Sequence, residues 1–164
     1  MKKKKLLIVL AGGGFYGQMK QILKNISADE FDLYYVTASE STTALRDLPD
    51  NKCYVISKTT HVSTKNMIIR ALDFLKSLYL AKGVINSVKP DTILAVGTSM
   101  AIPLYLWSFN KKVTRIFVES LTRVNDLSRT GKIIYYLGLA DRMYVQWPTI
   151  SASYQNAIYK GKAI

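Results

Sequence analysis

Three consecutive glycines, Gly12-Gly13-Gly14, close an apolar run and open a helical pattern in LLIVLAGGGFYGQMKQIL. Glycine lets a backbone approach a ligand closely, and the first N–H groups of a helix, with its dipole, favour an anion. A second turn of this kind, Gly97-Thr98-Ser99, follows TILAV and feeds another apolar helix. Each turn read singly is also a plain strand–helix connector; the pair is better evidence for a phosphate cradle. Gly12, Gly14 and Gly17 fit G-x-G-x-x-G, but Thr37, Ala38 and Ser39 stand where a ribose-binding acid belongs. The Gly-Lys-Ser/Thr ending of a P-loop is absent as well. Glu119 ends the run VTRIFVE, where a carboxylate is either a loop or helix cap or a functional acid. Arg123 and Arg129 follow, as solvated surface charge or as a phosphate clamp.

Other chemistries lack their residues. The single cysteine, Cys53, lies in the apolar run CYVIS and reads as a core thiol. The single histidine, His61, lies in a polar stretch with nothing around it to make a base. That leaves no disulfide framework, no zinc site of ordinary ligand count and no serine triad. The sequence calls for no metal and no cofactor.

The net charge of +12 points to nucleic acid, an anionic membrane surface or phosphorylated ligands. No aromatic RNA-binding strand, GXXG clamp or zinc finger accompanies the charge, so no nucleic-acid partner is expected. MKKKK before LLIVLA is not read as a signal peptide: the apolar run is short, and the glycines after it open a helix. No segment approaches the roughly 20 apolar residues that span a bilayer. The expectation is a cytoplasmic chain, peripheral at the inner face of the membrane.

The elements that must position these residues alternate regularly. Strands are expected at Leu6–Ala11, Asp32–Thr37, Cys53–Ser57, Thr92–Val96, Val113–Glu119 and over RMYVQ. Helical spacing appears from Tyr16 to Ile26, over Asn66–Val88, near Met100–Phe109, near Gly131–Leu139 and over PTISASYQNA. Pro103 is tolerable only near a helix start. AIYKGKAI reads as a short extended tail. Strands that are apolar throughout predict an α/β fold, a Rossmann-like doubly wound parallel sheet, with residues 1–164 as one domain. Ligands of such sheets bind at the carboxyl ends of the strands where strand order reverses. In the common order strands 1 and 4 flank that point, and both end in a glycine turn.

VESLTRVNDLSRTGKIIYYLGLADRMYVQW resembles the signature segment of the asparagine-linked glycosylation protein fourteen family, which includes bacterial capsule and exopolysaccharide enhancer subunits. KPDTILAVGTSMAIPLYLW resembles that family's second motif, and LAGGGFYGQM its first glycine loop. The resemblance implies the amino-terminal half of a GT-B glycosyltransferase made as a separate chain. The single-chain peptidoglycan N-acetylglucosaminyltransferase is similar and carries both halves. The implied partner is a carboxyl-terminal-type subunit that binds the UDP-sugar. The implied acceptor is a polyprenyl-diphosphate-linked saccharide, reached at an anionic membrane surface. Carried over by position, Gly12, Gly13, Gly14, Phe15, Gly97, Thr98 and Ser99 lie at the diphosphate and acceptor. Glu119 matches the family glutamate as catalytic base or acceptor-orienting carboxylate, and Arg123 is a candidate for the acceptor phosphate. The base is also open to Asp126 or to the partner chain. The family's first loop usually ends in histidine; Phe15 stands there, so that histidine's role does not transfer: either another group does the work, or the ring stacks on an acceptor sugar or fills the core.

Lys2–Lys5 supply attraction to anionic lipid, on the order of 1 kcal/mol per charge. Ile68, Ile69, Leu72 and Leu80, or Leu104, Leu106 and Trp107, offer an apolar face, although most of them are expected to belong to the core. Two other readings remain: a non-catalytic scaffold that recruits and activates a partner, and a free-standing nucleotide-binding module.

Overall fold

Leu6 to Leu10 are each no more than 3% exposed, so the first strand is covered on both faces and needs no polar alternation. The same logic repeats along the chain in a computed structural model, which describes residues 3–27, 29–38, 41, 50–56 and 67–163. Among the described residues there are seven strands: β1 Lys4–Leu10, β2 Phe31–Ala38, β3 Cys53–Ile56, β4 Thr92–Val96, β5 Thr114–Val118, β6 Arg142–Val145 and β7 Ala157–Tyr159. Five α-helices accompany them: α1 Gly14–Leu23, α2 Met67–Val88, α3 Ala101–Ser108, α4 Arg129–Tyr136 and α5 Pro148–Ser153. The sheet order is β3-β2-β1-β4-β5-β6-β7, with every neighbouring pair parallel. The expected doubly wound parallel sheet is the fold found.

The two faces are dressed unequally. Leu7, Val9, Ile93, Ala95, Phe117 and Val145 share one core with residues of α2, α3, α4 and α5. Leu6, Ile8, Leu10, Leu94, Val96 and Val118 form the second core, against Met19, Ile22 and Leu23 of α1. Beside α1, a groove of about 570 Å³ runs over β5 and β6 between Ile22, Ile26, Ile116, Tyr144 and the segment Lys160–Ala163.

Helix α2 is longer than the sheet is deep. Its 22 residues span about 33 Å, against about 17 Å for the five residues of β4. Its carboxyl end is fixed at the amino edge of the sheet, where Lys5 Nζ donates to Val88 O at 2.9 Å. Its first turns therefore overhang the carboxyl edge.

Several boundaries differ from expectation. The supposed tail begins as β7, paired with β6 through Tyr144 and Ile158. Helix α5 stops at Ser153 because Tyr154 turns extended (φ −128, ψ 96). Helix α4 starts earlier than Gly131, because Ser128 caps it. Strand β5 ends at Val118, which leaves Glu119 beyond it. Of the proposed apolar face, Leu104 is 0% exposed and belongs to the core, and Leu80 is partly buried against it. Ile68, Ile69, Leu72, Leu106 and Trp107 are exposed. Lys2, Ser39, Ser57, Asn66 and the loop holding His61 lie outside the described residues.

Candidate functional site

Parallel pairing of β1 with β4, Val9 opposite Ala95, sets the two glycine turns side by side on the carboxyl edge. Strand order reverses there, which is where such sheets bind ligands.

The two turns are not equivalent. Gly13 (φ 68, ψ −142) is the N-cap of α1, with no side-chain cap and no acidic residue in the first turn. A Cβ at Gly13 or Gly14 would meet nothing within 4 Å, so the start of α1 is open to an anion. The second turn is tied to β5 and to the start of α3. Gly97 N donates to Val118 O at 2.9 Å, and Thr98 Oγ1 accepts from Met100 N at 3.3 Å. Ala101 N and Ile102 N donate back to Thr98 O and Ser99 O. Thr98 is 6% exposed.

Phe15 joins the turns. Its ring lies over Gly97 so closely that a Cβ there would stand 2.7 Å from ring Cδ1. With φ at +58, Gly97 is required by backbone and neighbour alike. The aromatic in place of the family histidine is thus a packing group with one edge in the cavity described below.

Glu119 sits under the rim, 0% exposed. Its Oε1 accepts from Ser120 N at 2.8 Å. Its Oε2 accepts from both Ser128 N and Ser128 Oγ at 2.9 Å. Ser128 Oγ in turn accepts from Gly131 N at 2.9 Å and caps α4. A Cβ at Gly131 would collide with Glu119 Oε2. The carboxylate thus folds the loop after β5 back onto the start of α4.

That loop walls a cavity of about 550 Å³. Phe15 and Gly97 contribute the glycine-turn side, and Ser120, Thr122, Ser128 and Thr130 bring hydroxyls. Arg123, Arg129 and Lys132 bring positive charge. Lys132 pairs with Asp126 at 2.5 Å, and Tyr154 Oη donates to Asp126 Oδ1 at 2.6 Å. These bonds, Lys132 first, hold the Asp126 carboxyl down at about 2, too weak a base to accept a proton near neutrality. Among the described residues neither Arg123 nor Arg129 pairs with a carboxylate. Cations and hydroxyls with no acid in the wall suit a phosphorylated group.

Of the residues singled out from sequence, the cavity brings together Phe15, Gly97 and Arg123. Gly12, Gly13, Gly14, Thr98 and Ser99 share the edge but not the wall, and Glu119 lies beneath it. Sequence reasoning missed Ser128, Gly131 and a buried amide pair. Gln18 Oε1 accepts from Leu121 N at 2.9 Å and from Gln146 Nε2 at 2.8 Å. The available signals were a serine three residues before Gly131 and a glutamine just past a buried strand.

Solved structures with this fold include an Acinetobacter baumannii MurG (TM-score 0.72, 15% identical, 98% of this chain and 46% of that one). Another is a putative UDP-N-acetylglucosamine 2-epimerase from Listeria monocytogenes (TM-score 0.68, 15% identical, 94% and 42%). The chain spans about half the length of these structures, and its single Rossmann-like parallel sheet is a fold shared with GT-B neighbours such as MurG. Curated relatives called UDP-N-acetylglucosamine transferase subunit ALG14 match nearly end to end. The Homo sapiens protein is 28% identical over 182 residues (97% of this chain, 82% of that protein). That of Cryptococcus neoformans is 30% identical over 181 residues (94% and 78%). The family model described as "Oligosaccharide biosynthesis protein Alg14 like" matches residues 6–163, from within β1 to past β7, and the chain belongs to that family.

Proposed function

We propose that this chain is the acceptor-binding subunit of a two-chain UDP-sugar glycosyltransferase. It extends a saccharide carried on a polyprenyl diphosphate in capsule or exopolysaccharide biosynthesis, and is inactive alone. The observation that carries the reading is the acid-free cavity of Arg123, Arg129 and four hydroxyls beside the open start of α1. Diphosphate oxygens take the N–H groups of α1 and the guanidinium groups. The acceptor hydroxyl attacks the anomeric carbon, UDP leaves, and a base takes the proton. Glu119 sets the loop that presents Arg123; to act as the base it must first release Ser128. The relatives' name makes UDP-N-acetylglucosamine the first donor to try.

A lipid-linked acceptor requires the chain to reach a bilayer. The overhanging half of α2 supports this, because Ile68, Leu72, Leu75 and Tyr79 follow helical spacing and are 59–75% exposed. Lys76 and Lys82 flank the stripe and are exposed. An apolar face rimmed with lysine suits the interface of an anionic leaflet.

The test is reconstitution with the companion subunit, UDP-N-acetylglucosamine and a lipid-linked saccharide, scoring UDP release. Release should need both chains, and Arg123→Ala should raise the acceptor KM by about tenfold or more, the worth of one charge-assisted hydrogen bond. Tight calorimetric binding of UDP-sugar by this chain alone would refute the reading in favour of a nucleotide-binding module. The full engagement of Glu119 favours a second reading, a recruiting scaffold without reacting groups. A scaffold keeps its partner's turnover unchanged in Arg123→Ala.

A further inference from the structure

Gln146 and Trp147, adjacent at the end of β6, each touch the same two segments. Gln146 Oε1 accepts from Ala163 N at 2.8 Å, while its Nε2 donates to Glu119 O at 2.8 Å. The same Nε2 reaches Gln18 Oε1, which accepts the N–H of Leu121. Trp147 receives Lys162 over its ring at 3.7 Å, while its Nε1 donates to Leu121 O at 2.7 Å. Two neighbouring side chains thus hold residues 162–163 at one end and residues 119–121 at the other. Gln146 is 1% exposed, so its amide cannot turn to water if a partner leaves. Lys160, Gly161 and Lys162 are exposed, so this segment is the end of the relay that a second body can reach.

We propose that Gln146 and Trp147 are positioning residues that couple the segment Lys160–Ala163 to the loop carrying Ser120, Thr122 and Arg123. The role in anion binding rests on the function proposed above; the mechanical coupling does not. With the segment seated, both ends of the Gln146 amide are satisfied, and Glu119 O and Leu121 N are fixed. Releasing the segment leaves Oε1 a buried acceptor without its donor, and the amide can regain one only by giving up its bonds to Glu119 O and Gln18 Oε1, which loosens Gln18 and Leu121 together. By linkage, an anion that fixes the loop also favours the seated segment.

The relay can be cut at either end. Ala163→Pro removes the N–H donated to Gln146, and Lys162→Ala removes the cation; the pair releases the segment. Trp147→Phe keeps a ring beneath Lys162 but removes the bond to Leu121 O. Hydrogen exchange is read at Ser120 and Leu121 in the full chain, with inorganic pyrophosphate as the anion probe in calorimetry. Releasing the segment should speed exchange at both amides about fivefold, the worth of one hydrogen bond, and weaken pyrophosphate binding by a similar factor. In the Trp147→Phe background the same release should have a smaller further effect, a non-additivity that a merely structural segment would not produce. Exchange that changes only in β7, with Ser120 and Leu121 unmoved, overturns the coupling. If wild-type chain binds no pyrophosphate while Leu121 still responds, the coupling stands and the anion-pocket reading falls.

Discussion

Replacing Gly131 by alanine inverts an ordinary expectation. In an open helix, glycine to alanine stabilises by about 0.5–1 kcal/mol. At Gly131 the new methyl falls on Glu119 Oε2, with Glu119 Cδ and Ser128 Oγ each 3.2 Å from it. None of these is the free end of a flexible chain: Oε2 is held by two bonds from Ser128, and Ser128 Oγ caps the helix. Forcing a methyl into a packed site costs about 1–3 kcal/mol. So deep an overlap belongs in the upper part of that range; set against the propensity gain, the net is about 1–2.5 kcal/mol of destabilisation, or about 2–10 °C in Tm for a chain of this size. The control is Gly83→Ala in α2, where a Cβ meets nothing within 4 Å and a small rise is expected. Thermal unfolding of both variants should give opposite signs. Glu119→Asp, which draws the carboxylate back by one methylene, should return part of the loss in the Gly131→Ala background. A Gly131→Ala chain as stable as its parent would refute the placement of Glu119 against α4.

Glu119→Gln puts an amide donor against the donors of Ser120 or Ser128 and should cost about 1–3 kcal/mol in thermal unfolding; a residue acting in chemistry alone would leave Tm unchanged. Gly97→Ala must hold alanine at φ +58 against the Phe15 ring and should lose at least about 1–2 kcal/mol, read by denaturant midpoint. Asp126 has its pKa lowered from 3.8 to about 2, so the unfolded chain takes up the proton first as acid is added. Its contribution is complete above about pH 4 and fades toward pH 2, so Asp126→Asn should flatten the fall of Tm across that window. Leu72→Glu with Leu75→Glu should abolish sedimentation with anionic vesicles and leave Tm within about 2–4 °C, as expected for two exposed positions.

The sheet was readable because its signal is local. Continuous apolar runs such as Leu6–Leu10, punctuated by glycine turns, admit few other architectures. The position of the glycine turns followed from strand order alone. What the residues make of those turns was not local. Whether Met100 leaves its N–H for a ligand depends on Thr98 Oγ1 reaching it, a choice of rotamer that spacing does not reveal. Glu119 looked like a rim carboxylate because strand ends face the ligand. Its burial comes from Ser128, nine residues on, folding over it. Gln18 and Gln146 are far apart in sequence, and a lone glutamine in an apolar stretch carries no mark of its partner.

The pairing of Leu6 with Thr92 has a consequence for how the protein comes into being. Gly12–Phe15 and Gly97 meet only after the whole β2–α2 crossover has been made and threaded back. Non-local pairing of this kind is slow, since the loop's entropy is lost before any contact rewards it. A nascent chain that has emerged only as far as α2 therefore has Phe15 without the Gly97 on which it packs. On the function proposed above, a phosphorylated substrate that binds only the finished sheet would favour the folded chain by mass action.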